Sequence, residues 1–276
     1  MVNIELCCLL KPRAEWCLYK KLRQARSAGR GILHIVYAKI YKKRGALIMM
    51  SLSKERKERR LQSYDGMMMT RRGYNAALCG LLLYGIAANF IICKYFTDAV
   101  AALNPTAFLI GYLVCAIIGC LMSGLSHNPV ISFIGYNLVV LPCGMSISIA
   151  VEAYGGLDSE IVVEAFMITL CITAAMTLFA IICPQFCSKL GGILFASLIG
   201  LILARLVMLI FGMYSIAAAW IGAVIFSLYI AYDVWRSQQY PLTLDNAIDS
   251  ALDIYLDIIN LFLELLEILG RYKDDD

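Results

Sequence analysis

The last apolar stretch of the chain carries a regular line of acidic and amide side chains. The line consists of Asn246, Asp249, Asp253, Asp257, Asn260, Glu264 and Glu267. At about 100° per residue, a helix would place all of them within an arc of roughly 80°. An ionised carboxylate in the middle of a bilayer costs at least about 2.5 kcal/mol, so the line must face protein, water or a cation. The pattern therefore indicates a path for an ion or a proton.

Two carboxylates in this region are placed where they could form a gate. Asp233 lies near the end of the preceding apolar segment, and Asp257 lies about two to three turns into the last one. If the last helix is tilted or partly re-entrant, the two groups can approach each other. Two carboxylates within hydrogen-bond distance in a low dielectric share a proton, because both cannot ionise cheaply. Such a pair would close the path while it holds the shared proton. It would open the path when both groups ionise and repel each other.

The same oxygen atoms suit a hard cation. Ca²⁺ prefers several carboxylate and carbonyl oxygens, which the Asp233/Asp257 pair would supply as the ion passes. Asp249 and Asp253 could extend this site towards the near end of the helix, while further acids continue the line to its far end, at Glu264 and Glu267. The alternative interpretation is that the first acids cap the helix and face a cytoplasmic vestibule. Ca²⁺ is expected as the transported ion, and no cofactor is expected.

Arg205 is a second charged group within an apolar segment. A buried arginine stays charged and needs carboxylate partners. It lies about 16 residues beyond Lys189, which corresponds to a depth of roughly 24 Å on a helix. This depth favours Glu152 or Glu267 over Asp233 as the partner. The alternative is that the Arg205 side chain extends to the membrane surface.

The elements that position these groups must be membrane helices. The chain is 61% apolar and 16% charged, with a mean hydropathy of +0.75, which excludes a water-soluble domain of this size. Apolar runs of about 20 residues, long enough to span a bilayer, recur along the chain. We predict seven spans, at residues 74–93, 106–125, 130–151, 163–183, 190–211, 215–235 and 247–269. They form one all-helical membrane domain, 74–270, followed by an acidic tail, 271–276.

Charge is distributed unevenly along the chain and predicts its orientation. Residues up to Arg72 include 18 Lys and Arg but only 5 Asp and Glu. The remaining residues include 6 Lys and Arg and 15 Asp and Glu. By the positive-inside rule, the basic tail 49–73 is predicted to be cytoplasmic, in a multi-pass protein of a bacterial cytoplasmic membrane. Residues 1–48 are basic and aperiodic and lack the core of a signal peptide. We interpret them as an over-extended reading frame; the alternative is a basic arm on anionic lipid or nucleic acid.

The C-terminal segments resemble a known family. The sequences IAYDVWR (230–236) and LDIYLDIINLFLELLEILG (252–270) are similar to the C-terminal signature of the Bax inhibitor family, the transmembrane Bax inhibitor motif proteins and their bacterial homologues. Residues 162–180 and 188–207 are similar to the fourth and fifth spans of that family. The resemblance covers most of residues 74–270.

This resemblance implies a fold and a function. The fold is seven transmembrane helices, with the acidic last helix central and wrapped by the other six. The function is a pH-sensitive calcium leak gated by two aspartates, which correspond to Asp233 and Asp257. The partners are calcium ions, protons and the lipid bilayer, with no nucleic acid. One departure stands out: the predicted second span has no acid or arginine, although some bacterial relatives have charged groups there that pair with the aspartates.

Three rival functions use the same features differently. A proton-coupled exchanger could use the acid pair to carry H⁺. A non-conducting regulator could use the small-residue helix faces to bind partner helices. An intramembrane aspartyl protease also needs two carboxylates, but it requires Gly-x-Gly-Asp, whereas Ile254, Tyr255 and Leu256 precede Asp257. We therefore expect no enzymatic activity.

Overall fold

The computed structural model describes Glu58, Arg60, Leu61 and residues 68–213 and 215–274. The chain divides into two units, Met1–Gln62 and Ser63–Asp276, and the second unit contains the long helices. Residues 1–48, interpreted as an over-extended reading frame, lie outside the described residues. Most of the predicted cytoplasmic tail, 49–73, also lies outside them.

The described part of the second unit is helical and contains no strand. Its long helices are α1 (Arg71–Tyr95), α2 (Pro105–Leu125), α3 (Pro129–Ala153), α4 (Glu160–Ile182), α5 (Pro184–Phe211), α6 (Ile216–Ser237) and α7 (Leu244–Asp274). A single-turn helix, Thr97–Ala101, follows α1. Each predicted span lies within one of the long helices except for one end residue, Cys183 or Ser215. The prediction of an all-α fold is confirmed for these residues.

Local sequence signals explain where the helices begin. The side chain of Asn104 accepts hydrogen bonds from the amides of Thr106 and Ala107, and Pro105 occupies the first helical position of α2. Asn128 and Pro129 start α3 in the same way. An amide side chain at the cap satisfies free backbone N–H groups, and proline has no N–H to lose there. The Asn-Pro pairs therefore fix both helix starts.

Six helices, α1 to α6, are long and apolar enough to cross a membrane. Their outward side chains are apolar and highly exposed, for example Leu209 at 78% and Ile182 at 75%. Such surfaces are stable only against lipid or another apolar partner. The 31-residue helix α7 is also long enough to span, but it carries many acids and buries most of its described side chains.

Helix α7 contacts most of the membrane domain. It packs against α1, α3, α4 and α6, and touches α2 at fewer points. Helices α2 and α3 cross closely at Gly119 and Gly135, where a Cβ atom on either glycine would lie 2.6 Å from the other's carbonyl oxygen. This crossing brings the polar end of α2 against α7. The acidic helix thus packs mainly against four apolar helices, α1, α3, α4 and α6.

A buried acidic helix and its carboxyl pair

The acids of α7 are buried within the protein. The buried carboxyl groups of this helix are Asp245, Asp249, Asp253, Asp257 and Glu264, and Glu267 is partly buried. Because the surrounding helices are apolar, each ionised group needs a hydrogen bond or a countercharge nearby. The partners differ along the helix. These partners divide the line of acids on α7, called the stripe below, into three parts. The near end lies where α6 connects to α7, the far end lies where α5 connects to α6, and the middle lies between them.

At the near end, two serine hydroxyls bind the first acids of α7. Ser132 Oγ, in the first turn of α3, donates a 2.5 Å hydrogen bond to Asp245 Oδ1. Ser123 Oγ, near the end of α2, donates a hydrogen bond to Asp249 Oδ1. The sequence analysis did not identify either serine. The second span lacks an acid or arginine, yet it still supplies a polar contact to the stripe through Ser123.

Tyr74 fastens α1 to the connection between α6 and α7. Its side chain is fully buried, and its hydroxyl lies 3.0 Å from the carbonyl oxygen of Ser237 and 3.3 Å from that of Asn246. Ser250 Oγ is 3.2 Å from the same hydroxyl. One tyrosine thus joins the end of α6 and the first turns of α7, which fixes how the two helices that carry the predicted pair meet.

In the middle of the stripe, Asp257 lies beside Asp233. Asp257 is only 1% exposed, and the Asp233 and Asp253 carboxyl groups are within electrostatic reach of it. Neither carboxylate oxygen of Asp257 receives a hydrogen bond from an amide, hydroxyl or amine among the described residues. Asp233 also faces Arg236, whose Nη1 is 3.6 Å from Asp233 Oδ1. The fold therefore brings the two predicted gate residues together in a buried environment with Arg236 at its edge.

Arg236 is held at the border of this site by aromatic groups. Its Nε donates a 2.7 Å hydrogen bond to the Tyr240 hydroxyl, and its guanidinium lies 5.9 Å from the centre of the Tyr232 ring. Asp253, one turn before Asp257, adds a further negative charge within electrostatic reach of Arg236. The positive group is thus held within electrostatic reach of two acids, Asp233 and Asp253.

The opposite face of α7 is anchored by a neutral polar pair. Asn89 Nδ2 on α1 donates a 2.6 Å hydrogen bond to the Tyr255 hydroxyl, and both side chains are buried. Gly144 makes room for the amide, since a Cβ there would lie 2.6 Å from Asn89 Oδ1. Sequence analysis missed this pair because it considered the acidic face of α7 alone.

At the far end, Arg205 of α5 binds two acids of α7. Its Nη1 is 3.0 Å from Glu267 Oε2, and its Nη2 forms an ion pair with Glu264 Oε2. Glu267 was one of the expected partners. The other expectation, Glu152, requires correction: this residue is exposed at the end of α3 and forms no ion pair among the described residues, because Arg205 faces α7 instead.

These acids are arranged along a line rather than around a centre. Among the described residues, no group of three or more His, Cys, Asp or Glu side chains could hold a metal ion. Carboxylates spaced by one or two helical turns instead offer successive contacts.

Sequence comparisons identify the family of this buried-helix architecture. A family model described as inhibitor of apoptosis-promoting Bax1 matches residues 66–274, which include all seven long helices. The chain belongs to the Bax inhibitor family. The family assignment inferred from the C-terminal segments is thereby confirmed, and with six apolar helices the protein is a multi-pass membrane protein.

Individual relatives of the Bax inhibitor family match to different extents. An uncharacterised Helicobacter pylori (strain 26695) protein is 32% identical over 115 residues, 41% of this chain and 49% of that protein. Bax inhibitor 1 of Schizosaccharomyces pombe is 29% identical over 181 residues, 63% of this chain and 65% of its own. The matches thus cover less than two thirds of either relative. Inner membrane protein YbhL of Escherichia coli K12 is 27% identical over 235 residues, 76% of this chain and 97% of YbhL.

Proposed function

We propose that this protein is a pH-sensitive calcium leak channel in which the Asp233/Asp257 carboxyl pair is the gate. The observation that carries the proposal is the burial of Asp257 next to Asp233, without a hydrogen-bond donor other than a carboxyl group among the described residues. In such a place, two negative charges repel strongly and a proton shared between the groups removes the repulsion. Proton binding therefore sets how often the pair is closed.

The proposal extends to the arrangement of the chain in the membrane. Helix α7 is a seventh span at the centre of the other six, which its burial and its contacts with α1, α3, α4 and α6 support. The N-terminus is cytoplasmic, and the membrane is a bacterial cytoplasmic membrane, in line with the name of the E. coli relative, inner membrane protein YbhL. The excess of basic residues before α1 supports this orientation.

The transported ion is Ca²⁺ and the gating ligand is the proton. The acids of α7 offer oxygen atoms only, which a hard divalent cation prefers. The aspartates act as gating groups and perform no catalytic step, and neither a cofactor nor a nucleic-acid partner is part of the mechanism.

The test is Ca²⁺ entry into liposomes that contain the purified protein, followed with an enclosed indicator at acidic, neutral and mildly alkaline pH. We expect a pH-dependent flux whose rate and pH profile both change in Asp257→Asn and in Asp233→Asn. The matched control is Asp158→Asn, the same substitution at an exposed site outside the long helices. Wild-type profiles in both gate variants would contradict the gating role, and flux that saturates and requires a counter-substrate would indicate an exchanger.

A further inference from the structure

At the far end of the stripe, two successive acids bind a positively charged side chain of the protein itself. Arg205 contacts Glu264 and Glu267, which are one helical turn apart on the acidic face of α7. We propose that Arg205 is a second gating residue, which closes the far end of the acid-lined path by binding both glutamates. This inference rests on the proposed channel function and adds a gate in series with the Asp233/Asp257 pair.

Three helices meet at this contact, so the contact depends on the distances between them. Arg205 comes from α5, the glutamates come from α7, and Gly222 of α6 lies directly under the Glu264 carboxylate. A Cβ atom at position 222 would overlap the oxygen atoms of Glu264. The glycine thus lets the carboxylate lie flat on α6, where the guanidinium can reach it. Movement of any of the three helices would break the ion pair.

The position of the contact explains why it would block a cation. Glu264 and Glu267 lie about 10 to 15 Å beyond Asp257 at 1.5 Å per residue, on the same face of α7. A cation that moves along this face towards or from the Asp233/Asp257 pair must pass these two carboxylates. The guanidinium already occupies the position that the cation would need, and it neutralises the negative charge that would attract the cation. As long as Arg205 stays, the far end offers little attraction to a second positive ion.

The ion pair between Arg205 and the two glutamates can also break, with Arg205 as the partner that leaves. The Arg205 guanidinium uses its two Nη atoms, while its buried Nε–H has no acceptor among the described residues. The Arg205 side chain is 38% exposed, whereas that of Glu264 is 10% exposed. The arginine is therefore the partner with room to move, and its long side chain can extend towards the membrane surface beyond the end of α5. Its departure would leave two carboxylates of the path free for a passing cation.

The first experiment compares Ca²⁺ flux into liposomes for Arg205→Gln and the wild type. Loss of the guanidinium should raise the flux about two- to hundredfold, the range that corresponds to coupling free energies between contacting residues. The pH dependence should remain, because the Asp233/Asp257 pair is intact. The matched control is Lys189→Gln on the same helix, which removes an equal charge from an exposed site and should leave flux unchanged.

Two further variants separate gating from a merely structural role. The charge swap Arg205→Glu with Glu267→Arg rebuilds the pair in reverse and should return the flux towards the wild-type value. Gly222→Ala keeps every charge but displaces Glu264, and should raise the flux as Arg205→Gln does. Gly200→Ala on α5 is its control, because a Cβ there meets nothing within 4 Å.

The outcomes distinguish the two proposals. Wild-type flux that depends on Asp257 but is unchanged in Arg205→Gln and in Gly222→Ala would overturn the second gate alone. Raised flux in Arg205→Gln that the charge swap fails to lower would also overturn it, because the ion pair would then not be the closing element. If the wild type itself gives no flux at any pH, the channel function fails, and the far gate fails with it.

Discussion

Asn89 and Tyr255 join α1 to α7 through a buried hydrogen bond of 2.6 Å. Tyr255 precedes Asp257 by two residues, so the two side chains point about 160° apart on the helix. A bond that holds Tyr255 on one face therefore also sets the rotation of α7 about its axis, and with it the direction in which Asp257 points. The neutral pair is thus a positioning element for the carboxyl pair.

The first prediction concerns this bond. Tyr255→Phe and Asn89→Leu should each destabilise the protein, since each leaves one buried polar group without its partner. The double variant should lose less stability than the sum of the losses in the two single variants. The coupling free energy between the two positions should be about 0.6 kcal/mol and at most about 1.7 kcal/mol, as for other hydrogen bonds between membrane helices.

The measurement is equilibrium unfolding in mixed detergent and SDS micelles, with Tyr272→Phe as the control. Tyr272 lies on the same helix but is 58% exposed, and its hydroxyl should contribute nothing measurable. Strict additivity of the Asn89 and Tyr255 variants would show that the bond does not stabilise the fold.

Much of the helical framework could be predicted from the sequence. Runs of about 20 apolar residues between Asn-Pro pairs and glycines define helices because a bilayer requires every backbone group to be bonded internally. The acidic face of α7 followed from helical periodicity alone. It also followed that the face must be buried, since lipid does not accept a row of carboxylates.

The partners of the acids could not be predicted in the same way. Ser123 and Asn89 are single polar residues in apolar helices, and their contacts with Asp249 and Tyr255 depend on how distant helices pack. For Arg205, depth along the helix limited the choice of partner to acids at the far end. It could not separate Glu152 from Glu267, because depth does not reveal which neighbouring helix the arginine faces.

The second prediction concerns the serine that binds the near end of the stripe. Ser123→Ala removes one donor from the buried Asp249 carboxylate and should cost about 1 to 3 kcal/mol of stability, the contribution expected of a hydrogen bond to a buried carboxyl group. Unfolding in mixed micelles measures the loss. Ser188→Ala is the control, because that hydroxyl is exposed and bonds the carbonyl of Gln185 in its own helix. Equal stability of the two variants would mean that Ser123 does not support Asp249.

The third prediction concerns the crossing of α2 and α3. A methyl group at Gly119 would lie 2.6 Å from the backbone oxygen of Gly135, so Gly119→Ala should force the helices apart and destabilise the protein by about 1 to 3 kcal/mol. Gly111→Ala, on the same helix with nothing near its Cβ, should be neutral or stabilising by up to about 1 kcal/mol, as alanine favours a helix over glycine. A stabilising effect at Gly119 would contradict the close crossing.

The last prediction concerns the tyrosine that fastens α1 to the α6–α7 connection. Tyr74→Phe removes a hydroxyl within 3.3 Å of two backbone oxygens, at Ser237 and Asn246, and should destabilise the protein by about 1 to 3 kcal/mol. The control is Tyr84→Phe, which also loses a hydroxyl bond, 2.6 Å to Asn137, but one that joins α1 to α3 and does not touch α6 or α7.

Because Tyr74 sets how the end of α6 meets the start of α7, its loss should also loosen the carboxyl pair that these helices carry. We therefore expect faster amide hydrogen exchange around residues 233–257 in Tyr74→Phe than in Tyr84→Phe. Unchanged exchange in that segment, together with a loss of stability, would mean that Tyr74 supports α1 alone and leaves the geometry of Asp233 and Asp257 to the other helices.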